Sequence, residues 1–365
     1  MTRLCFVGPL PPPVNGFSSV CGMMLDLLKS RMPVEVFDRA PSGRGAARDV
    51  VRQLFMPIKY LVACIGRHDT VLYVALSGGR GQMIDLIYVL ISKVFRRAIF
   101  VHHHSYVYIN SPSPLNRLVF RLLRTEQHIA LSPNMGRSLS RVYRLDPGLI
   151  RAVSNAAFYH ADEGESVQER QMAPLRVGFL SNITFEKGIV DFFLVLQALS
   201  RRGIEYRAYV AGPVAAEARE VFDKLLESAT DVEYLGALYG EQKERFYRQL
   251  DIFLFPTRYV NEAEPLVIYE AMRRGVHVIA CDRGSIAEML RDGAGLVSPQ
   301  EGFVEAALLH IEKLSQDRRV LFAAKCLSMQ QAQRIRASGE ASLERLLVCM
   351  QGASETMSIP CEKNT

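Results

Sequence analysis

The chain has 365 residues and a formal net charge of +6, and 49% of its residues are apolar. This length exceeds the size at which one hydrophobic core usually stops growing, so it favours two domains. The seven cysteines are odd in number and never spaced as C-x-x-C, which argues against a disulfide framework or a zinc site. The N-terminal apolar run ends at Pro9, so we expect no secretory signal and a cytoplasmic protein.

The longest apolar stretches are too short to cross a bilayer. Met83–Phe95 is interrupted by Asp85 and Lys93 and falls short of the roughly 20 residues that a spanning helix needs. We therefore expect any membrane contact to be peripheral.

The charge is unevenly distributed along the chain. Residues 1–155 hold 20 Lys/Arg against 8 Asp/Glu, whereas residues 156–365 hold 24 against 30. A basic half attracts nucleic acid, anionic lipid or a phosphorylated substrate. No basic groove interleaved with aromatic residues and no zinc-finger spacing accompanies this charge, so we expect no nucleic-acid partner. An anionic membrane surface is the favoured partner, and a solvated basic face is the alternative.

Short β-branched runs alternate with amphipathic stretches in both halves, which predicts two α/β domains with parallel sheets. The predicted strands of the first half are Arg3–Pro9, Val34–Arg39, Thr70–Ser77, Ala98–His104, His128–Ser132 and Ile150–Asn155. Those of the second half are Leu175–Ser181, Tyr206–Gly212, Val232–Leu238, Ile252–Thr257, Val276–Asp282 and Gly295–Ser298.

The predicted domains are residues 1–155 and 175–330, joined by a polar, acidic linker at 156–174. We expect residues 331–350 to form a helix that returns toward the first domain, and residues 351–365 to be a disordered tail. Two such domains facing each other would form a cleft, with ligands beyond the carboxyl ends of the strands.

The loop Gly8–Ser18 follows the first strand and enters a helix that begins near Gly16. Prolines stiffen the loop, and a glycine at a helix N-terminus lets backbone N–H groups approach a phosphate. The loop lacks the G-x-G-x-x-G fingerprint, which weakens the case for dinucleotide binding. The alternative interpretation is a rigid turn between strand and helix.

Three consecutive histidines end the fourth strand. His102 and His104 should face one side of the sheet and His103 the other, so the three cannot form one metal site. His104 lies furthest out of the sheet and is the candidate for a hydrogen bond to a sugar hydroxyl or a phosphate. Packing at the strand end is the alternative.

Two loops of the second half carry the strongest signals. In Ser181–Gly188, Lys187 places an ammonium group next to a helix N-terminus, which suits a diphosphate. Taken by itself, this loop fits a lysine in contact with solvent equally well.

In Phe255–Gly275, Glu262 lies in a loop and Glu270 in the following helix, which Pro265 opens. Carboxylates accept hydrogen bonds from sugar hydroxyls, and the N–H groups near Leu266 and Val267 can meet phosphate oxygens.

The pattern E-x7-E at Glu262 and Glu270 resembles family 4 of the retaining glycosyltransferases. The resemblance continues into Gly275 and includes the Gly8–Ser18 loop, Glu-Lys-Gly at 186–188 and the strand-end histidine. It implies the GT-B architecture of two facing Rossmann-like domains. It also implies a retaining hexosyltransferase that needs no metal or other cofactor.

The resemblance implies roles for individual residues. Glu270 would bind the ribose hydroxyls of a UDP- or GDP-sugar, and Glu262 would contact the donor sugar near the reacting carbon. Lys187 and the amides of Leu266 and Val267 would neutralise the diphosphate, with Gly16 approaching from the first domain. Glu262, His104 and Lys187 are the catalytic candidates, and Pro265 belongs to the donor site.

The sequence departs from the family pattern at three positions. Asn182 stands where the family usually has a phosphate-binding arginine, which leaves its donor contact in question. Ala156 stands where a glycine often follows the interdomain asparagine, here Asn155. His277 replaces a usual proline.

The first half also contains a candidate acceptor or membrane surface. Leu115–Thr125 is predicted to be an amphipathic helix with Arg117, Arg121 and Arg124 on one face. Such a face suits an anionic membrane, and a polyprenyl-diphosphate-linked or glycan acceptor in cell-surface polysaccharide synthesis would explain the basic half. A solvated arginine stripe is the alternative.

Three other functions fit the same fold. They are an epimerase, an inverting transferase, and a nucleotide-sugar-binding protein without catalytic activity, which the Asn182 departure keeps open.

Overall fold

The computed structural model describes residues 2–41, 45–66, 69–160, 167 and 174–353, which form two compact units. The first unit comprises Met1–Tyr159 and Ala337–Thr365, and the second comprises His160–Arg336. Most of the predicted linker and the tail from residue 354 lie outside the described residues.

The first unit is built on a six-stranded parallel sheet in the order β2-β1-β3-β4-β5-β6. Its strands are β1 (Arg3–Gly8), β2 (Val34–Asp38), β3 (Thr70–Leu76), β4 (Ala98–His103), β5 (Gln127–Ala130) and β6 (Ile150–Ala152). Its helices are α1 (Gly16–Arg31), α2 (Ala46–Cys64), α3 (Gln82–Val94), α4 (Val107–Asn110), α5 (Pro114–Leu122) and α6 (Pro133–Tyr143).

The second unit repeats the design with the strand order β12-β11-β10-β7-β8-β9, again all parallel. Its strands are β7 (Leu175–Leu180), β8 (Tyr206–Ala211), β9 (Val232–Tyr234), β10 (Ile252–Phe255), β11 (His277–Cys281) and β12 (Gly295–Ser298). Its helices are α7 (Ile189–Arg201), α8 (Arg219–Glu227), α9 (Gly240–Gln249), α10 (Leu266–Arg273), α11 (Ile286–Met289) and α12 (Phe303–Gln316), followed by α13 (Arg318–Gly352).

One helix contributes to the cores of both units. The N-terminal part of α13 belongs to the second unit, where Leu321 is buried. From Ala337 onward it belongs to the first unit, where Leu343, Leu346, Leu347 and Met350 join the buried cluster of β1 and β3. The two units therefore share one continuous element of 35 residues.

Each sheet has one point at which the strand order reverses direction. In the first unit this point lies between β1 and β3, and in the second it lies between β7 and β10. Ligands of doubly wound sheets bind in the crevice that the loops form at such a point. The fold thus directs attention to the loops that follow β1, β7 and β10, all of which carry predicted site residues.

Candidate active site

The loop between β7 and α7 is fixed by a glycine. Gly188 precedes α7 with φ +80°, and a Cβ atom there would lie 1.9 Å from the carbonyl oxygen of Pro256. The loops after β7 and β10 therefore touch backbone to backbone, and the N–H of Arg258 donates to the carbonyl of Glu186 at 2.7 Å. This contact brings Lys187 next to the loop that carries Glu262.

The loop between β10 and α10 is packed on its other side as well. Gly284 has φ +54°, and a Cβ atom on it would lie 2.2 Å from the carbonyl oxygen of Glu262. The N–H of Ser285 donates to the carbonyl of Ala263 at 2.8 Å. The backbone around Glu262 is therefore clamped between two neighbouring loops.

Lys187 and Glu262 form the ion pair at the centre of these loops. The Lys187 Nζ lies 2.5 Å from the Glu262 Oε2, to which the Thr257 hydroxyl also donates at 3.1 Å. The Lys187 side chain is 22% exposed and that of Glu262 is 12% exposed. Lys187 also lies 5.0 Å from the ring centroid of Tyr259, whose pKa is raised by burial and by the neighbouring Glu262.

This cluster suits an anionic ligand that carries hydroxyl groups. An ammonium group has three donors, and the pair with Glu262 uses one of them. The second Glu262 oxygen and the remaining Nζ donors are the groups that can meet a sugar hydroxyl and a phosphate oxygen. Thr257 was not predicted from the sequence, because a threonine at the end of a buried strand carries no distinguishing signal.

The helix α10 begins one residue later than predicted. Pro265 precedes it at the N-cap position with φ −70°, and Leu266 and Val267 form its first turn. Their N–H groups lie before the point at which intrahelical hydrogen bonds begin, so the helix itself does not use them. Leu266 and Val267 are half-buried.

Glu270 lies inside α10 and is buried, and α9 supplies two donors to it. The Lys243 Nζ lies 2.5 Å from its Oε1, and the Tyr247 hydroxyl donates to its Oε2 at 3.1 Å. Lys243 and Tyr247 are four residues apart on one face of α9. Neither was predicted, since an i, i+4 pair in a charged helix has many structural explanations.

A second ion pair fixes the loop after β10 to the start of α7. The Arg258 guanidinium binds Asp191 in a bidentate manner, with N–O distances of 2.7 and 2.5 Å. This hydrogen bonding raises the pKa of Arg258. The pair was not predicted, and it ties the loop after β10 to the first turn of α7, the helix that follows Lys187. Asn182, by contrast, lies exposed at the beginning of its loop.

In the first unit, α1 begins at Gly16, as predicted. Asn15 caps the helix, because its Oδ1 accepts from the Ser18 N–H at 3.0 Å while the Ser18 Oγ accepts from the Asn15 N–H at 3.0 Å. A Cβ atom on Gly16 would meet no atom of the described residues within 4 Å. Packing among the described residues therefore does not require a glycine at this position.

The three histidines divide between two faces, as predicted. His103 contacts His128 and Tyr108 at 2.9 and 3.1 Å on one face. On the other, the rings of His102 and His104 lie 4.0 Å apart, and that of His104 lies 4.8 Å from Phe17. The structure thus brings His104 next to the N-terminus of α1.

His104 is uncharged at neutral pH. Burial lowers its pKa to about 3, and its buried Nε2 atom has no hydrogen-bond partner among the described residues. A neutral imidazole can donate or accept a hydrogen bond but cannot compensate a phosphate charge.

The three predicted surface arginines are exposed, but only two lie in the helix. α5 starts at Pro114, where Ser113 caps it, and ends at Leu122, so Arg117 and Arg121 are helical and Arg124 follows in the turn.

Among the described residues, no group of three or more His, Cys, Asp or Glu side chains could hold a metal ion. Among the described helices, none is long and apolar enough to cross a membrane.

The comparison with known families concerns the second unit. Residues 163–336 match the family model described as Glycosyl transferases group 1. This range includes the loops after β7 and β10 and the helix α10. This match assigns the second unit to the group 1 glycosyltransferases.

Solved structures share the fold of the chain over most of its length. HepE from Anabaena, in complex with UDP and glucose, is 18% identical with a TM-score of 0.67, over 95% of this chain and 99% of that chain. Sucrose-phosphate synthase from Thermosynechococcus elongatus is 12% identical with a TM-score of 0.70, over 97% and 100%. The apo form of the lipopolysaccharide outer core galactosyltransferase WaaB is 14% identical with a TM-score of 0.64, over 92% and 99%.

These likenesses confirm the predicted GT-B fold, and the family match confirms the predicted glycosyltransferase family. No curated protein sequence matches the chain significantly. The roles assigned to Glu262, Glu270, Lys187, His104 and Gly16 stay predictions.

Proposed function

We propose that the glycosyltransferase moves a hexose from a UDP- or GDP-sugar to a glycan or a polyprenyl-diphosphate-linked acceptor, with retention of configuration and without a metal. The observation that best supports this proposal is the cluster of Lys187, Glu262 and Thr257, which lies at the point where the strand order of the second sheet reverses. Support for the donor class comes from HepE, which was crystallised with UDP-glucose. Support for the acceptor class comes from WaaB, a lipopolysaccharide galactosyltransferase.

The proposed chemistry breaks the bond between the anomeric carbon and the diphosphate oxygen. The acceptor hydroxyl forms the new bond on the same face of the sugar, and its proton passes to the departing diphosphate oxygen. Lys187 and the amides of Leu266 and Val267 stabilise the negative charge that develops there. Because these groups supply positive charge and N–H donors, the diphosphate needs no metal ion.

The remaining roles follow from the type of group. Glu262 accepts a hydrogen bond from a hydroxyl of the donor sugar, and Glu270 accepts hydrogen bonds from the ribose. The neutral His104 donates to the sugar or to a phosphate oxygen, and the bare Gly16 backbone approaches the diphosphate. The basic first unit, with Arg117, Arg121 and Arg124, meets the anionic headgroups around a lipid-linked acceptor at the cytoplasmic membrane face.

The donor is tested by thermal shift with UDP-, GDP- and ADP-sugars. A ligand at 100 times its Kd adds about 2.7 kcal/mol of stability, so the matching nucleotide should raise the Tm clearly. NMR of the anomeric proton of the product tests retention, and turnover in excess EDTA tests independence from metals. If no sugar nucleotide raises the Tm, or if Glu262→Ala turns over donor like the wild type, the proposed donor site is wrong.

A further inference from the structure

The helix α3 exposes its apolar side chains and buries polar ones, which is the reverse of an ordinary amphipathic surface helix. All its exposed residues are apolar, namely Met83, Ile87, Leu90 and Val94, and they are between 38% and 77% exposed. Its buried residues include Gln82, Asp85 and Ser92. A helix in contact with water normally places its polar residues outward and its apolar stripe inward.

Hydrogen bonds on the inner side fix this orientation. Asp85 pairs with Arg39 and accepts from the Ser77 N–H, Gln82 accepts from Asn116 at 2.6 Å, and the Ser92 and Tyr60 hydroxyls lie 2.6 Å apart. Rotation of α3 to bury its apolar stripe would break these bonds and leave buried polar groups unpaired, which is costly. The apolar stripe is therefore held outward.

The neighbouring helix α2 extends the apolar surface. Its rings pack on α3, since the centroids of Tyr60 and Tyr88 lie 5.3 Å apart. At 3.6 residues per turn, its exposed apolar residues fall within an arc of about 140°. They are Val50, Val51, Leu54, Phe55, Ile58, Leu61 and Val62, and Ile65 follows at the helix end. We call these residues and the α3 stripe the α2–α3 face.

The fully exposed charges around this face are all positive, whereas Asp49 at the start of α2 is half-buried. Lys59 lies on α2 beside it, Arg96 follows α3, and Arg117 and Arg121 flank the exposed Leu118 on α5, which packs on α3. Among the described side chains of these three helices, no Asp or Glu is exposed. An apolar surface bordered by exposed cations is complementary to anionic headgroups above acyl chains.

We propose that the α2–α3 face docks the protein on an anionic lipid bilayer, with its apolar side chains inserted at the boundary between headgroups and acyl chains. A contiguous apolar surface that is exposed in the isolated protein is typical of a site at which another molecule or a membrane binds. A symmetric pair of copies would bring the same face against itself and oppose like charges, which disfavours self-association as the cover. The inference rests on the membrane-bound form of the proposed function, and it adds the inserting surface, which differs from the arginine stripe.

The test is flotation with phosphatidylcholine vesicles that contain or lack about 30% phosphatidylglycerol. We expect the wild type to float with the anionic vesicles and Phe55→Glu with Val94→Glu to lower the bound fraction at least about tenfold. Both side chains are more than half exposed, so the substitutions should not disturb the core. The matched control is Leu309→Glu with Val348→Glu, which changes charge equally at apolar residues exposed on α12 and α13.

Three outcomes would overturn the inference. They are no flotation of the wild type, equal loss in the control, and a wild-type dimer in light scattering that Phe55→Glu with Val94→Glu dissociates. Donor hydrolysis by soluble enzyme is measured in parallel. Lost flotation with intact hydrolysis supports the docking face, whereas absent hydrolysis in every form, wild type included, would count against the proposed function alone.

Discussion

Lys187 Nζ lies 2.5 Å from Glu262 Oε2, and the two residues belong to loops that follow adjacent parallel strands, β7 and β10. The pair therefore depends on the sheet rather than on sequence proximity. Gly188 allows these two loops to approach closely, and Gly284 allows the loop after β11 to pack on the backbone of Glu262. A preorganised cation of this kind is the group most able to stabilise a departing diphosphate.

Lys187→Met should lower the turnover of donor by about two orders of magnitude, because a fixed donor to the developing charge is lost. Release of the nucleoside diphosphate from the donor measures the effect. Lys313→Met, at an exposed lysine of α12 in the same unit, is the control and should retain wild-type turnover. Turnover of Lys187→Met within twofold of wild type would remove Lys187 from the mechanism.

Lys243→Met should destabilise the second unit by about 2 kcal/mol, since it removes the ammonium group that donates to the buried carboxylate of Glu270. Urea unfolding measures the change. Lys224→Met breaks the pair with Glu220 between two exposed side chains on α8, which should cost less than about 1 kcal/mol. Equal costs at the two sites would show that the contact with Glu270 is not structurally important.

Gly188→Ala should lower the Tm strongly, because the new methyl group would collide with the Pro256 carbonyl in addition to straining the backbone. Gly203→Ala provides the comparison, since Gly203 also has a positive φ (+69°) but no described atom lies within 4 Å of its Cβ position. That substitution should cost only the backbone strain, about 1 kcal/mol. If the two variants melt together, the contact between the loops contributes little.

His104 should make the first unit less stable as the pH falls. Its folded pKa of about 3 lies below the ordinary value of 6.5, so between these values the unfolded chain binds a proton that the folded chain does not. Stability is complete above about pH 6.5 and declines toward pH 3. Replacement by asparagine removes this contribution.

The measurement compares the free energy of unfolding of wild type and His104→Asn at about pH 7.5 and about pH 5. Other buried histidines have the same sign of effect, so only the difference between the two proteins is informative. We expect the variant to lose less stability on acidification. An equal or larger loss would mean that His104 is protonated in the folded protein.

Arg117→Glu with Arg121→Glu should weaken binding to anionic vesicles and spare donor hydrolysis, because each well-placed charge contributes about 1 kcal/mol at the surface. Arg201→Glu with Arg207→Glu, at exposed positions in the second unit, makes the same change of charge elsewhere. Binding that is unchanged in the first variant, or reduced equally in both, would argue against a specific role for the α5 arginines.

The strands were predictable because parallel strands are buried on both faces and therefore form continuous apolar runs. Every predicted strand of the two halves is present, although several end before the predicted residue. The largest difference is β9, which ends at Tyr234 rather than Leu238. The ends of helices were harder to predict than the strands. The helix α5, for example, ends at Leu122, three residues before the predicted end.

Only those site residues that belong to sequence motifs could be predicted. Glu262 and Lys187 could be named, but their ion pair and the contact of Lys243 with Glu270 depend on tertiary packing between separate helices and loops. The orientation of α3 was equally hidden, because a hydrophobic period identifies an apolar stripe without indicating whether it points inward. The sequence of Met83–Phe95 indicates only that the segment is too short for a membrane span.

The shared helix α13 has a consequence for biosynthesis. The first unit begins at the N-terminus, yet Leu343, Leu346, Leu347 and Met350 complete its core. Domains usually fold in the order in which the ribosome releases them. Here the sheet of the first unit lacks part of its cover until α13 has been translated, so premature termination near residue 336 would leave the first half, rather than the second, exposed to chaperones and proteases.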